Sequence, residues 1–304
     1  MAQPTLTHPS ESGRALVVDT PERQTLRVVK RRGERFFLYL MMVVLSLIFL
    51  IPLVWLLTTS LKAQGEVFAY PPVWIPETLQ WSNFSEAVDR APLWTWLRNT
   101  ATVAVLAVIG NVLSSSLVAY GFARLEFPGR NFLFILLLST IMVPDVILLV
   151  PSFILFREFG WIDTLYPLIV PSFFGGGAFN IFLVRQFYLT IPRDFDDAAR
   201  LDGASNWQIW RQILLPLSAP VLTAVAIFSF VFHWNDFMGP LIYLQSEQNK
   251  TLALGLRAFI SPTDASWNVS MAASLFLVVP ILVLFFVGQR YFIRGVAMTG
   301  ITGR

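Results

Sequence analysis

The chain has 304 residues, of which 55% are hydrophobic and only 13% are charged, and its mean hydropathy is +0.63. Soluble domains carry about a quarter charged residues, so this composition excludes an ordinary soluble protein and indicates a membrane protein. The net charge of +3 comes from dispersed basic residues and does not indicate nucleic-acid binding. The absence of cysteine excludes disulfides and thiolate metal sites.

The first 35 residues are polar and contain three prolines and a basic cluster between Arg27 and Arg35. This composition predicts a disordered cytoplasmic tail over residues 1–35. We interpret the cluster as a charge run that sets membrane topology, with RNA or anionic lipid as the alternative partner. No small-residue cleavage site follows the first apolar run, which is therefore predicted to be an uncleaved anchor.

Six apolar segments reach the length of about 20 residues that crosses ~30 Å of hydrocarbon. They are Phe36–Ser60, Asn99–Ala123, Phe132–Phe156, Leu165–Val184, Pro220–Leu244 and Met271–Gln289. With the N-terminus inside, 16 of the 22 Lys and Arg residues fall on the cytoplasmic side. The positive-inside rule therefore places both termini in the cytoplasm. The sequence predicts an all-α polytopic membrane protein with six transmembrane helices, whose membrane domain spans residues 36–304.

The segment after the first span, Leu61–Arg98, is rich in proline and tryptophan. Tryptophan favours the headgroup layer, so we expect this segment to lie along the outer membrane surface. It is either an interfacial belt alone or also a docking surface. Residues 60–88 resemble the loop that follows the first span in carbohydrate-importer permeases, in the branch that takes sugars and glycerol phosphate.

The third and fourth spans contain unusual residues for lipid-embedded helices. Asp145 follows Pro144, and an ionisable group in a span usually faces a cavity or a partner. It is a candidate substrate-path residue or an acid paired inside the bundle. In the fourth span, Gly175–Gly177 precede Asn180, a second path candidate. Consecutive glycines indicate close packing or a local break, and we expect packing.

Residues 194–220 form the longest polar interruption in the second half of the chain. Asp194 is expected to N-cap a short helix in which Asp196 and Arg200 form an i,i+4 pair. Gly203 supplies the positive φ with which such a helix ends.

A second helix is predicted directly after this corner. Ser205 and Gln208 have the spacing of a capping box that opens a helix, and Pro216 is expected to close it. The segment therefore predicts a helix, a glycine corner and a second helix between two membrane-embedded segments.

This segment resembles the EAA loop found in the membrane subunits of binding-protein-dependent ABC importers. The resemblance covers about residues 36–304, with Asp197 standing where Glu is commoner. It implies a MetI-like ABC importer permease fold, in which the loop forms a coupling helix that docks on an ATPase subunit. The ATPase-docking residues that it implies are Asp197, Ala198, Ala199, Asp202, Gly203, Ala204 and Ser205.

The fifth span places Trp234, Asn235 and Asp236 where a plain anchor has leucine. Amide and carboxylate groups hydrogen-bond hydroxyls, and an indole stacks on a sugar face, so these residues are substrate-path candidates. Their alternative role is helix-to-helix contact at a permease dimer. Gly239-Pro240 is expected to bend or break the helix. Residues 295–304 resemble the C-terminus of maltose-type permeases, which reaches the ATPase dimer, with a frayed end as the alternative.

Several kinds of chemistry lack their sequence motif. No lysine lies in the GxxxxGK[ST] pattern of a phosphate-binding loop, and His8 and His233 are far apart with no HExxH motif. We therefore expect no catalytic residue, no metal site and no cofactor bound by this chain. ATP and Mg²⁺ would belong to partner subunits.

These features predict a multi-pass permease subunit of an ABC importer for a sugar or related polyol in a bacterial inner membrane. The resemblance implies a second homologous permease, two ABC ATPase subunits and an extracytoplasmic solute-binding protein as partners. One alternative is an ion-coupled secondary transporter that uses Asp145 and Asp236, which leaves the 194–220 loop without a role. Another is a membrane scaffold subunit with no transport path.

Overall fold

A computed structural model of the chain describes residues 21–259 and 266–299, with side chains described for residues 33–144, 146–259 and 266–288. This part of the chain contains helices and no strand, as predicted. The α-helices are α1 Pro21–Thr59, α2 Ser82–Arg90, α3 Leu93–Arg124, α4 Arg130–Ser139, α5 Asp145–Glu158, α6 Tyr166–Ile169, α7 Ala178–Thr190, α8 Asp194–Leu201, α9 Asn206–Gln208, α10 Leu215–Leu217, α11 Ala219–Asn235, α12 Met238–Tyr243, α13 Leu252–Gly255 and α14 Trp267–Thr299. Short 3-10 helices are Gln64–Glu66, Thr140–Met142, Val170–Phe173, Glu247–Asn249 and Leu256–Phe259, and a π-helical turn covers Ile209–Leu214.

The chain divides into two units, residues 1–55 and 56–304. The first unit contains most of α1, whose apolar side chains are largely exposed, as expected of a helix solvated by lipid. Residues 1–20 of the predicted tail lie outside the described residues. Residues 21–35, which the composition assigns to that tail, are helical in the structure.

The membrane-spanning stretches agree with the predicted number but not with six continuous helices. Four are long and apolar enough by themselves: Gly33–Thr59, Leu93–Arg124, Tyr166–Thr190 and Trp267–Gly288. Two more helix pairs qualify only as bent spans, Arg130–Met142 with Val146–Glu158 at 102° and Asn206–Leu217 with Ala219–Asn235 at 79°.

The third predicted span is therefore broken. Val143, which precedes Pro144, has an extended backbone at φ −82° and ψ 115°. A proline ring disfavours a helical residue before it, and Pro144 marks a stop here, whereas α1, α5 and α14 continue through Pro52, Pro151 and Pro280.

Helix α3 is the central helix of the second unit. It contacts α7, α11 and the 3-10 helix Val170–Phe173, and it buries mainly small residues. Ala104, Ala107, Ser115, Ala119 and Ala123 are each at most 1% exposed. Small side chains let helix backbones approach closely, which is how helices pack in a membrane that gives them no hydrophobic driving force.

The glycines of the fourth span produce both a break and a close contact. Gly175, Gly176 and Gly177 all have positive φ values, and they separate the 3-10 helix Val170–Phe173 from α7. We expected these glycines to serve close packing, and the structure shows that they also break the helix. Packing is tight at Gly176, where an added Cβ would lie 2.7 Å from the backbone nitrogen of Ser115.

The fifth span breaks earlier than Gly239-Pro240. Helix α11 ends at Asn235, and α12 begins at Met238 with Gly239 and Pro240 in its first turn. The Asp236 carboxylate accepts a hydrogen bond from the Gly239 backbone N–H at 3.2 Å. A proline is tolerated in the first turn of a helix because its missing N–H would have no helical partner there.

The end of α3 that begins at Leu93 is covered by residues 247–255. The Trp96 indole donates to the Glu247 carbonyl at 2.8 Å, and the Leu252 backbone N–H donates to the Thr100 hydroxyl at 2.8 Å. Trp96 is fully buried, whereas Trp94 is 62% exposed. The prediction of an interfacial tryptophan segment thus does not extend to Trp96, whose ring packs against Gly255.

Asp163 joins two loops at this same end of the unit. Its carboxylate accepts hydrogen bonds from the backbone N–H groups of Gln245 at 2.9 Å and Ser246 at 2.8 Å, and from the Ser246 hydroxyl. Its carbonyl accepts from the Asn249 amide at 2.6 Å. These donors lower the pKa of the Asp163 carboxyl to about 2.

We expect Gly176→Ala to destabilise the protein more than Gly177→Ala. Both residues have positive φ, a backbone conformation that costs about 1–3 kcal/mol for a residue with a Cβ. Only Gly176 faces backbone atoms of α3, and that overpacking adds about 1–3 kcal/mol. Thermal unfolding of the detergent-purified variants measures the difference. Equal stability of the two variants would contradict the close contact.

A second prediction concerns Asp163→Asn. Asparagine tolerates the φ of +60° at this position, so the substitution removes mainly the charge. Because the Asp163 pKa is lowered to about 2, its carboxylate stabilises the fold above about pH 4, and this stabilisation is lost as the pH falls towards 2. Thermal unfolding should show the variant less stable at pH 7, by about 1 kcal/mol. The difference should shrink between pH 4 and pH 2, and a pH-independent difference would contradict the assignment.

Candidate functional site

The polar segment 194–217 folds as a helical hairpin, called the hairpin below. Helix α8 begins at Asp194 itself, and no side chain caps its N-terminus. The predicted N-cap is therefore wrong by one position. Asp194, Asp196 and Asp197 all lie in the first turn, where carboxylates interact favourably with the positive end of the helix dipole.

The corner at Gly203 has the predicted positive φ, at +81°. The Gly203 N–H donates to the Arg200 carbonyl at 3.0 Å, and the Ala204 N–H donates to the Ala199 carbonyl at 2.9 Å. This pair of hydrogen bonds is the Schellman motif that ends many helices. No atom lies within 4 Å of the position that a Gly203 Cβ would take, so the requirement for glycine there is conformational rather than steric.

The second arm begins with the predicted capping box. The Ser205 N–H donates to the Gln208 side chain at 2.7 Å, and the Gln208 N–H donates to the Ser205 hydroxyl at 3.4 Å. The arm continues through the π-helical turn Ile209–Leu214 and passes Pro216 to end at Leu217. We predicted that Pro216 closes this helix, but the helix continues for one more residue, through Pro216 to Leu217.

One ion pair fixes α8 to the end of α3. Arg124 Nε lies 3.2 Å from Asp196 Oδ2, and the two side chains are 2% and 5% exposed. The predicted Asp196–Arg200 pair is thus replaced, and Arg200 lies instead 4.0 Å from Asp197. Burial raises the pKa of the Asp196 carboxyl, and the charge of Arg124 opposes that shift.

The end of α3 contacts the hairpin segment at two further points. Arg124 Nη2 donates to the Ile191 carbonyl at 2.9 Å, just after α7 ends. The Tyr120 hydroxyl donates to Asn206 Oδ1 at 3.4 Å, at the start of α9. The last turns of α3 therefore contact the entry to the hairpin, its first arm and its second arm.

The outward face of the hairpin carries most of the predicted docking residues. Asp197, Ala198, Asp202, Gly203 and Ser205 are exposed. Ala199 and Ala204 are half-buried because they pack on the apolar cluster formed by α3, α7 and the second arm.

Large apolar side chains also project from the hairpin. Leu201 is 90% exposed, Trp207 55% and Phe195 50%. Exposed aromatic and aliphatic groups beside carboxylates are typical of a protein-docking surface.

The predicted substrate-path residues have the following environments. Asp145 is the first residue of α5, and its side chain lies outside the described residues. Asn180 donates to the Gly176 carbonyl at 2.7 Å, and the exposed Asn235 donates to the Val231 carbonyl at 2.8 Å. The structure therefore uses both amides to satisfy backbone carbonyls of their own chain segments.

Trp234 has a structural contact rather than an open ring face. It is 4% exposed, and its indole donates to the Leu277 carbonyl of α14 at 2.9 Å. The ring stacks on Phe230 with a centroid distance of 5.0 Å. In this arrangement the indole holds α11 to α14 within the chain, which is not the contact at a permease dimer given as its alternative role.

A buried polar cluster that the sequence analysis did not assign lies between α3, α11 and the 3-10 helix Val170–Phe173. Asn111 donates to the Ser229 hydroxyl at 2.7 Å, and the two ring nitrogens of His233 lie 2.8 Å from the Ser229 carbonyl and 3.5 Å from the Ser172 hydroxyl. The Ser114 hydroxyl donates to the Ser172 carbonyl at 2.9 Å. The polar run from Asn111 to Ser116 in an apolar span was the available signal.

Within the described ranges, no group of three or more His, Asp or Glu side chains could hold a metal ion. The polar features that we consider as a functional site are the hairpin, its ion pair with α3 and the Asn111–His233 cluster.

Comparison with known proteins shows which family the chain belongs to. Residues 112–298 match the model of the family described as binding-protein-dependent transport system inner membrane component. The chain is 35% identical over 262 residues, 85% of this chain and 93% of the other, to the arabinooligosaccharides transport system permease protein AraQ of Halalkalibacterium halodurans. It is 30% identical over 281 residues, 90% of this chain and 99% of the other, to the sn-glycerol-3-phosphate transport system permease protein UgpE of Rhizobium meliloti.

A solved structure supports the same fold. A chain of a bacterial ABC transporter involved in the import of the acidic polysaccharide alginate superposes with a TM-score of 0.74 at 22% identity, covering 86% of this chain and 98% of that chain. The chain thus belongs to the family of binding-protein-dependent transport system inner membrane components: it is a membrane-embedded permease subunit of an ABC importer, and ATP hydrolysis takes place on separate partner subunits.

Proposed function

We propose that this permease imports an oligosaccharide or a related polyol compound and is driven by an ATPase subunit docked on the hairpin. The carrying observation is the geometry of the hairpin, whose outward face is exposed while Asp196 fixes its inward face to α3. The solute class is supported by the names of the relatives, which transport arabinooligosaccharides and sn-glycerol-3-phosphate.

The subunit organisation that we propose has this chain beside a second homologous permease, with two ABC ATPase subunits and an extracytoplasmic solute-binding protein. The Lys and Arg distribution supports cytoplasmic termini and a cytoplasmic hairpin in a bacterial inner membrane. ATP and Mg²⁺ bind to the ATPase subunits, and this chain binds no cofactor.

The docking surface consists of the residues of the EAA-like segment, with Asp197, Ala198 and Asp202 exposed on α8 and at its end. The neighbouring Leu201, 90% exposed, supplies apolar area that a partner would bury. Closure of the ATPase pair displaces the hairpin, and the displacement changes which side of the membrane the solute path opens to.

The solute path that we propose is built from Asp145, Asn180, Asn235 and Asp236, with Trp234 beside them as a wall residue. The helix breaks at Gly175–Gly177 and Asp236 support this location, because interrupted helices at membrane depth occur where a cavity or protein satisfies the backbone.

The proposal is tested by reconstituting the complete complex in proteoliposomes and measuring uptake of arabinooligosaccharides and sn-glycerol-3-phosphate. Uptake of one of them should require ATP and the solute-binding protein and should be unaffected by ionophores. Uptake driven by a proton gradient and indifferent to ATP would reject the proposal in favour of a secondary transporter using Asp145 and Asp236.

We expect Gly203→Leu to uncouple ATP hydrolysis from uptake. A leucine at φ +81° costs about 1–2 kcal/mol, so ATP-driven uptake should fall about tenfold while the subunit still inserts. The matched control is Gly129→Leu in the turn between α3 and α4, because Gly129 has φ +78° and equally open surroundings. Equal loss of uptake in both variants would show that strain anywhere at this end of the protein suffices, and would reject a specific role for the corner.

A further inference from the structure

The Arg124–Asp196 ion pair differs from the other charged contacts near the hairpin in how completely it is buried. Its side chains are 2% and 5% exposed, whereas the Arg193–Glu126 pair is 56% and 80% exposed with a separation of 3.7 Å. Exposed pairs contribute little because solvent screens them and both side chains stay mobile. The buried pair has no such screening.

Burial makes separation of the two partners strongly unfavourable. If α8 moved away from α3, Arg124 and Asp196 would each lose the opposite charge that compensates the cost of burial. The guanidinium also donates a hydrogen bond from Nη2 to the Ile191 carbonyl, so it is held at a second point besides its ion pair with Asp196. An apolar contact of the same area would allow the helices to slide.

Helix α3 is suited to carry movement from this pair into the bundle. It is one uninterrupted helix of 32 residues, whereas α7 leads to the hairpin through the non-helical Ile191 and Pro192, and the second arm meets α11 at a bend of 79°. Halfway along α3, Asn111 donates to Ser229 of α11.

We infer that Arg124 and Asp196 are positioning residues that make the hairpin and α3 move as one body, so that ATPase movement reaches the Asn111–Ser229 contact through α3. This inference deepens the proposed function and rests on its docking of an ATPase at α8. Neither residue belongs to the docking surface itself, because both side chains are buried beneath it.

The test compares wild type, Asp196→Asn and the double variant Arg124→Gln with Asp196→Asn in the reconstituted complex. Three quantities are measured: the amount of ATPase subunit that copurifies, the rate of ATP hydrolysis, and the amount imported per ATP of whichever of the two probes the wild type transports. We expect Asp196→Asn to keep ATPase binding and hydrolysis but to lower import per ATP by about fivefold or more, a typical coupling factor. The double variant also removes the uncompensated charge of Arg124, and it should likewise keep ATPase binding and hydrolysis without recovering import per ATP.

A distance measurement reports the coupling directly. The chain has no cysteine, so spin labels can be placed at Leu117→Cys on the exposed side of α3 and at Gln212→Cys in the exposed second arm. In the wild type, the distance between the labels should be the same without nucleotide and with ATP and vanadate. In Asp196→Asn and in the double variant, it should shift between the two states.

The matched control is Glu126→Gln, which removes the exposed ion pair at the same end of the bundle and should leave import per ATP unchanged. Wild-type coupling and an unchanged label distance in the double variant would overturn the inference and leave the proposed function standing. Failure of ATPase subunits to bind even the wild-type chain would instead reject the proposed function. If the neutral variants fail to assemble, Arg124→Lys decides, because it keeps the charge but loses the planar guanidinium that contacts both Asp196 and the Ile191 carbonyl. Normal coupling in that variant overturns the inference.

Discussion

A backbone polar group left without a partner in hydrocarbon is costly, and two interruptions of the membrane helices show how the structure meets this constraint. The break at Gly175–Gly177 places the Ser172 carbonyl against the Ser114 hydroxyl and the Gly176 carbonyl against the Asn180 amide. The break after α11 directs the Asp236 carboxylate to the first turn of α12. Polar side chains at membrane depth therefore serve first as partners for the backbone, and any role in a solute path is added to that.

Helix α3 supplies many of these partners because it remains unbroken. Its small buried residues let α7 and α11 approach, and Asn111 bonds across to α11. Near its two ends, α3 holds the 3-10 helix Glu247–Asn249 through Trp96 and the non-helical Ile191 through Arg124. A continuous helix packed against broken segments is a stiff reference, against which those segments can rearrange.

Several features set by neighbouring residues were predictable from the sequence, whereas the features set by distant partners were not. The Gly203 corner and the Ser205–Gln208 box depend on residues within one or two turns, and both were confirmed. Asp196 was paired with Arg200 because they are near in sequence, yet its partner is Arg124, on a helix far earlier in the chain. Local spacing contains no information about which helix end lies beside α8.

The helix breaks show the same limit. Glycine and proline mark where a helix can stop, and Gly239-Pro240 located the interruption of the fifth span to within a few residues. The breaks at Pro144 and at Gly175–Gly177 were not predicted. Which of the possible residues becomes the actual break depends on a capping side chain, as at Asp236, or on space beside another helix, as at Gly176. The sequence likewise does not distinguish the buried Trp96 from the exposed Trp94, because residues 247–255, which cover Trp96, are distant in the chain.

On α8, the residue that anchors the helix and the residues that a partner would touch are different and lie on opposite faces. Asp196 faces inward to Arg124, whereas Asp197 and Leu201 face outward. Substitutions on the outward face can therefore accumulate without loosening the attachment to α3. Under the docking proposed above, the outer surface of the permease can adapt to a different ATPase while the buried Arg124–Asp196 contact is kept.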